Sequence, residues 1–202
     1  VIGQGRPKIC AIVLGETVEE ILNLGELSNS AACDLIELRI DHFGDVLEID
    51  KVKSLLRKLR RTVKKPMIFT FRRVEEGGKT KTTLKYYKEL LTMVAENSLA
   101  DLIDVEASAL EHDDRFVSTL KNLNAYVIIS KHDFQKTPDE EELFRTMLLM
   151  EEMGADIVKI AYMPNSKKDV LALMDATTNF AGKYASCPVI AISMGHLGMI
   201  TR

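Results

Sequence analysis

The sequence predicts an α/β protein built on a parallel sheet, and three observations carry that expectation. Short apolar runs recur at residues 9–14, 35–38, 67–71, 102–105, 127–129, 157–160 and 189–192. They are continuous rather than alternating, which suits strands covered on both faces. Helix-length segments with apolar residues every three or four positions lie between them. The runs begin about 30 residues apart, the size of one strand–helix–strand unit. Two architectures satisfy this pattern, a (β/α)8 barrel and an open doubly wound sheet.

Each element has its own local reason. After the first run, Thr17-Val-Glu-Glu20 reads as a capping box that opens a helix. Val52, Leu55, Leu56 and Leu59 fall on one face of the next helix, and Pro66 cannot continue it into the third run. Leu84, Tyr87, Leu91 and Val94 form the third helical face. Thr137-Pro-Asp-Glu140 reads as a second capping box with proline at the first helical position. Leu143, Met147 and Leu148 follow on one face, and Gly154 sits where a helix stop is expected. Pro188 stands just before the last run. No GxGxxG follows the first strand, which weakens a dinucleotide-binding sheet. No linker, low-complexity tract or repeat beyond the alternation stands out.

Composition narrows the function classes. The chain has 202 residues with 27 Lys plus Arg against 30 Asp plus Glu, a net charge of −3. That balance argues against a general nucleic-acid binder. A hydrophobic share of 46% with 28% charged residues is that of a folded globular protein. No window approaches the ~18 consecutive apolar residues of a membrane span. Cys10, Cys33 and Cys187 form no CxxC and point neither to a disulfide framework nor to zinc. A reduced, cytoplasmic protein without a membrane partner is the expectation. His42, His112 and His196 lack ligand spacing, so no metal site is expected. The six basic residues between Arg57 and Lys65 read as a solvated helix end.

Several residues break the apolar pattern at or near strand ends, where sites are built in parallel α/β folds. Lys159 lies inside Asp156-Ile-Val-Lys-Ile-Ala161. A desolvated amine is a nucleophile toward carbonyls, although a structural lysine paired with a carboxylate fits the position equally. His132 follows the fifth run and suits general acid–base work, against a plain turn or capping role. Glu37 and Arg39 alternate with apolar residues and share one strand face, which Asp41 joins if the strand continues. An internal ion pair and a hydroxyl-binding pair both fit them. Arg72 ends the third strand ahead of Glu75-Glu-Gly-Gly78, expected as a flexible acidic loop. Arg202 follows Ser193-Met-Gly-His-Leu-Gly198. Arginines at strand ends suit an anionic or hydroxyl-rich small ligand. Met163 and Met194 lie just past strand ends.

The ordered set is more specific than its parts. It runs Glu37-Leu-Arg39-x-Asp41, Thr70-Phe-Arg72 with Glu76-Gly-Gly78, and Ser130-x-His132-Asp-Phe134 with Thr137-Pro138. Val158-Lys159 and Ile192-Ser-Met194 with Gly198 and Arg202 complete it. This set resembles the type I 3-dehydroquinate dehydratases over residues 9–202. The resemblance implies a (β/α)8 TIM barrel over residues 1–202 as one catalytic domain. It implies a hydro-lyase of the shikimate pathway that needs no cofactor and no metal, and it leaves room for a homodimer. Its small-molecule substrate would be 3-dehydroquinate, dehydrated to 3-dehydroshikimate. By motif, Lys159 would form the Schiff base, His132 would be the general base and acid, and Glu76 would orient His132. Glu37, Arg39 and Arg72 would bind ring hydroxyls, Arg202 would hold the carboxylate, and Phe134, Met163 and Met194 would pack around the ring. The alternative is a class I aldolase-type barrel, which should show a Gly-rich phosphate loop late in the chain. Gly195-His-Leu-Gly198 matches that loop thinly. Seven runs where a barrel has eight predict a natural polypeptide longer than 202 residues by one βα unit of ~20–30 residues.

Overall fold

The structure is a computed structural model that describes residues 2–111, 113 and 115–201. Its strands are β1 (Cys10–Val13), β2 (Leu35–Arg39), β3 (Met67–Thr70), β4 (Leu102–Glu106), β5 (Tyr126–Asp133), β6 (Ile157–Tyr162) and β7 (Val189–Ser193). Each of the seven apolar runs is a strand, and their order in the sheet follows the chain. The helices are α1 (Val18–Ser30), α2 (Ile49–Thr62), α3 (Leu84–Glu96), α4 (Phe116–Asn122), α5 (Glu140–Glu152) and α6 (Lys167–Lys183).

The chain divides into two compact units, Gln4–Asp104 with Ser118–Tyr126, and Val105–Val117 with Val127–Arg202 and Val1–Gly3. In the first unit, β1 pairs parallel with β2, β2 with β3, and β3 with β4. Val52, Leu55, Leu56 and Leu59 are fully buried, as their spacing predicts. In the second unit, β5 pairs with β6 and β6 with β7, again parallel. Leu143, Met147, Leu173 and Phe180 bury the inner faces of α5 and α6.

A recurrent aspartate fixes the register, a repeat that the sequence reading does not find. Asp34, Asp101 and Asp156 each stand one residue before an even-numbered strand. Their carboxylates accept the backbone N–H of Ile9, Met67 and Val127, each at 2.8 Å. Each aspartate also donates its own N–H to the carbonyl of that same residue, at 2.7–2.9 Å. An amide at the start of β1, β3 and β5 thus gains a charge-assisted partner. Asp101 further accepts from Arg60 at 2.8 Å, so part of the basic helix end is paired rather than merely solvated.

Three local expectations change. Thr17 caps α1 through the full capping box, but Asp139, not Thr137, caps α5 by accepting from the Glu142 amide. The Thr137 hydroxyl donates instead to the Met163 carbonyl at 3.1 Å. Strand β5 runs through Asp133, so His132 lies inside it rather than after it. The edges are less covered than continuous apolar runs imply: Ile9 and Ile12 are each 57% exposed.

Candidate active site

Parallel pairing sets which side chains share a face in the second unit. Ser130 pairs with Lys159, Lys159 with Ile190, and His132 with Ala161. Residues opposite one another project to the same side, and residues two apart on a strand do too. Lys159, Ser130 and His132 therefore share one face, with His132 one step nearer the C-terminal strand ends. Lys159 is 7% exposed and Ser130 is fully buried. Every residue of β6 is buried, so the lysine amine stands in a largely apolar wall. Lys131 is also a strand lysine, but it pairs with Ile160 and projects from the opposite face.

The strand ends carry the expected methionines. The Met163 amide donates to the Asp133 carbonyl at 2.9 Å and the Met194 amide to the Tyr162 carbonyl at 2.8 Å, so both continue the ladder past the strands. Both side chains are half-buried. Phe134 is 50% exposed. Gly198 has no room for a side chain, because a Cβ there would lie 1.9 Å from the Ser193 carbonyl oxygen. Arg202 lies outside the described residues.

The first unit holds a polar cluster on the corresponding strand ends. Thr70 donates to Glu37 Oε1 at 2.8 Å, which orients that half-buried carboxylate. Arg39 donates from Nε and Nη2 to the two oxygens of Asp41 at 2.9 and 3.0 Å, a bidentate fork. Burial alone would raise the Asp41 carboxyl. The Arg39 fork and the amides of Lys79 and Arg72 outweigh it and hold the carboxyl below the usual range. Arg72 stands two residues past the end of β3 rather than at it, and it is 3% exposed. Its Nη2 donates to Asp104 at 2.9 Å, and its Nη1 lies 3.8 Å from Glu76.

The acidic segment after Arg72 is an ordered turn, not a flexible loop. Val74–Glu76 is a 3-10 turn, Gly77 closes it with a φ of 84°, and Glu76 is buried. A Cβ on Gly78 would lie 1.7 Å from the Arg72 carbonyl oxygen, so only glycine lets the chain return there. Asp104 and Glu106 on β4 are fully buried carboxylates that the sequence reading leaves out. Their signal was available: Asp104 and Glu106 alternate with apolar residues as Glu37 and Arg39 do. Among the described residues no His, Cys, Asp and Glu group could hold a metal ion, and no helix is long and apolar enough to cross a membrane.

Residues 9–202 match the family described as Type I 3-dehydroquinase. A 3-dehydroquinate dehydratase of Clostridium kluyveri is 43% identical over 204 residues, covering 100% of this chain and 80% of the relative. The crystal structure of type I 3-dehydroquinate dehydratase from Clostridium difficile, with covalently modified comenic acid, matches with a TM-score of 0.96 at 41% identity. It covers 100% of this chain and 81% of that one. The Enterococcus faecalis 3-dehydroquinate dehydratase structure gives a TM-score of 0.96 at 36% identity, over 100% and 85% of the two chains. The barrel class, one of the two architectures that the alternation leaves open and the one that the resemblance implies, is the fold this chain shares with them. On its sequence, its strand order and these likenesses, the chain belongs to the type I 3-dehydroquinases.

Proposed function

We propose that this chain dehydrates 3-dehydroquinate to 3-dehydroshikimate through an imine on Lys159. The observation that carries the reading is the shared face of Lys159, Ser130 and His132 on paired strands. It gives a buried amine and an imidazole one register step apart.

The amine of Lys159 attacks the ketone carbon, and water leaves to give an iminium. The iminium is an electron sink, so the adjacent C2–H becomes acidic. His132 takes that proton, and the electron pair moves to the nitrogen as an enamine. The pair then returns and expels the C1 hydroxyl, which departs as water with the proton that His132 gives back. Hydrolysis of the conjugated iminium frees the product ketone and the lysine.

The remaining residues bind and orient. Glu37, Arg39 and Arg72 take ring hydroxyls, Glu76 orients His132, and Arg202 holds the carboxylate by a bidentate pair that lysine cannot copy. Phe134, Met163 and Met194 pack on the ring. We place this enzyme, with its three free cysteines, in the cytoplasm and residues 1–202 in one catalytic domain. The test is a steady-state assay with 3-dehydroquinate that follows the conjugated product in the near ultraviolet. The wild-type chain should turn over, and Lys159→Ala should not. Turnover by Lys159→Ala at the wild-type rate would refute the reading.

A further inference from the structure

The Asp41 carboxylate connects two things that the binding half-site needs. It meets the Arg39 guanidinium, and it meets the segment after β3 that carries Arg72 and Glu76. The division of labour between its oxygens is specific. Oδ1 accepts from Arg39 Nε at 2.9 Å and from the Arg72 amide at 3.4 Å. Oδ2 accepts from Arg39 Nη2 at 3.0 Å and from the Lys79 amide at 3.1 Å. Each oxygen thus serves one guanidinium nitrogen and one backbone amide of the loop.

Two more bonds complete the anchor. The Thr80 hydroxyl donates to the Asp41 carbonyl at 2.7 Å. The Lys79 amine pairs with Glu16 from the loop after β1. Residues 72–80 are therefore held at both ends by one aspartate. The fork also fixes which edge of Arg39 is presented, because Nε and Nη2 are spent on Asp41 and Nη1 is not among those bonds. The Arg39 side chain is 22% exposed, while that of Asp41 is fully buried.

We propose that Asp41 is a positioning residue for substrate binding: it aims the Nη1 edge of Arg39 at a ring hydroxyl and locks the loop that bears Arg72 and Glu76. This rests on the dehydratase reading for the identity of the ligand, but the anchoring geometry stands apart from it. Asp41 touches no reacting atom in this account and acts only through its neighbours.

The pattern of acceptors makes one substitution decisive. Asp41→Asn preserves shape but replaces one oxygen by an N–H2 group. Whichever oxygen is replaced, one Arg39 bond and one loop amide bond become donor against donor. The variant cannot rotate out of the conflict. With 3-dehydroquinate, the KM of Asp41→Asn should rise about tenfold or more while kcat falls by a smaller factor, since Lys159 is untouched and His132 feels the change only through Glu76 on the loosened loop. Arg39→Ala should raise KM as well, and adding Asp41→Asn to it should raise KM by much less than in the wild type. Amide hydrogen exchange at Arg72 or Lys79 should quicken about tenfold, with the β2 amide of Leu38 unchanged.

A KM within twofold of wild type overturns the proposal, even where exchange quickens, because the aspartate is then only a loop anchor. Multiplicative KM effects in the double variant overturn the link through Arg39. If the wild-type chain itself fails to turn over 3-dehydroquinate, the dehydratase reading falls separately. Equilibrium binding of 3-dehydroquinate then decides the Asp41 proposal: a Kd raised about tenfold in Asp41→Asn together with quickened exchange upholds it, and a Kd within twofold of wild type, no binding by the wild-type chain, or unchanged exchange at both amides overturns it.

Discussion

Replacing Asp104 by asparagine should destabilise the protein far more than a polar swap usually does. Arg72 and Asp104 are 3% and 0% exposed and meet at 2.9 Å. Removing one charge from a buried pair costs ~3–5 kcal/mol, because the remaining ion stays in a poorly solvated place. Glu76 stands 3.8 Å from the same guanidinium and keeps part of the compensation. That puts Asp104→Asn near the lower end, about 3 kcal/mol, or a fall in Tm of ~6–12 °C for a chain of this length. Urea unfolding followed by circular dichroism at pH 7 measures the difference directly. A loss below about 1 kcal/mol would refute the argument that this pair is buried and coupled. The complementary variant carries Arg72→Met with Asp104→Leu. It should recover part of the loss seen in Asp104→Asn but stay below wild type, since buried Glu76 then keeps its charge without the guanidinium 3.8 Å away. The same double variant should lose substrate binding, which separates folding from function at one site.

Other perturbations read other parts of the structure. Asp41 has its folded-state pKa below its unfolded value, so its contribution is complete above about pH 4 and is lost as pH falls through the folded pKa. The stability gap between wild type and Asp41→Asn should be constant from pH 7 to 5 and narrow by pH 3 in urea titrations; a gap that widens there contradicts the assignment. Gly78→Ala must displace the Arg72 carbonyl, and it should cost more than ~1 kcal/mol and at least tenfold in kcat/KM. His132→Ala should lower kcat by ~10²-fold or more while still accumulating a lysine adduct, visible by mass spectrometry. Burial, with Glu151 alongside, pushes the Cys187 thiol up to about 11. At pH 8 iodoacetamide should therefore label exposed Cys10 well before Cys187, and equal rates would refute that environment.

The strands were legible because burial on two faces leaves continuous apolar runs, and Lys159 was legible because a charge interrupts one of them. His132 was legible as a chemical type but not as a strand residue. The polar Ser130, Lys131 and His132 end the apolar run, and only pairing with β6 carries β5 on to Asp133. Asp104 and Glu106 show the same alternation as Glu37 and Arg39, so their omission was a misreading rather than a silent sequence. The α5 cap was ambiguous for a physical reason. Thr137 and Asp139 are both good caps, and the Thr137 hydroxyl is drawn to the Met163 carbonyl. The role of Asp41 was not legible at all. Its bonds to residues 72 and 79 cross more than 30 positions of sequence and depend on the path of the loop after β3. The aspartates before β2, β4 and β6 are visible once their carboxylates are known to cap a neighbouring strand. Without that knowledge, Cys-Asp-Leu-Ile, Ala-Asp-Leu-Ile and Ala-Asp-Ile-Val are only strand beginnings.

The covalent role of Lys159 is open to chemical trapping. The protein is mixed with 3-dehydroquinate, reduced with borohydride, digested and analysed by mass spectrometry. A reduced ligand mass is expected on the peptide that contains Lys159, absent without substrate and absent in Lys159→Ala. Label on Lys131 or another lysine, or no label while the wild-type chain turns over substrate, would contradict it.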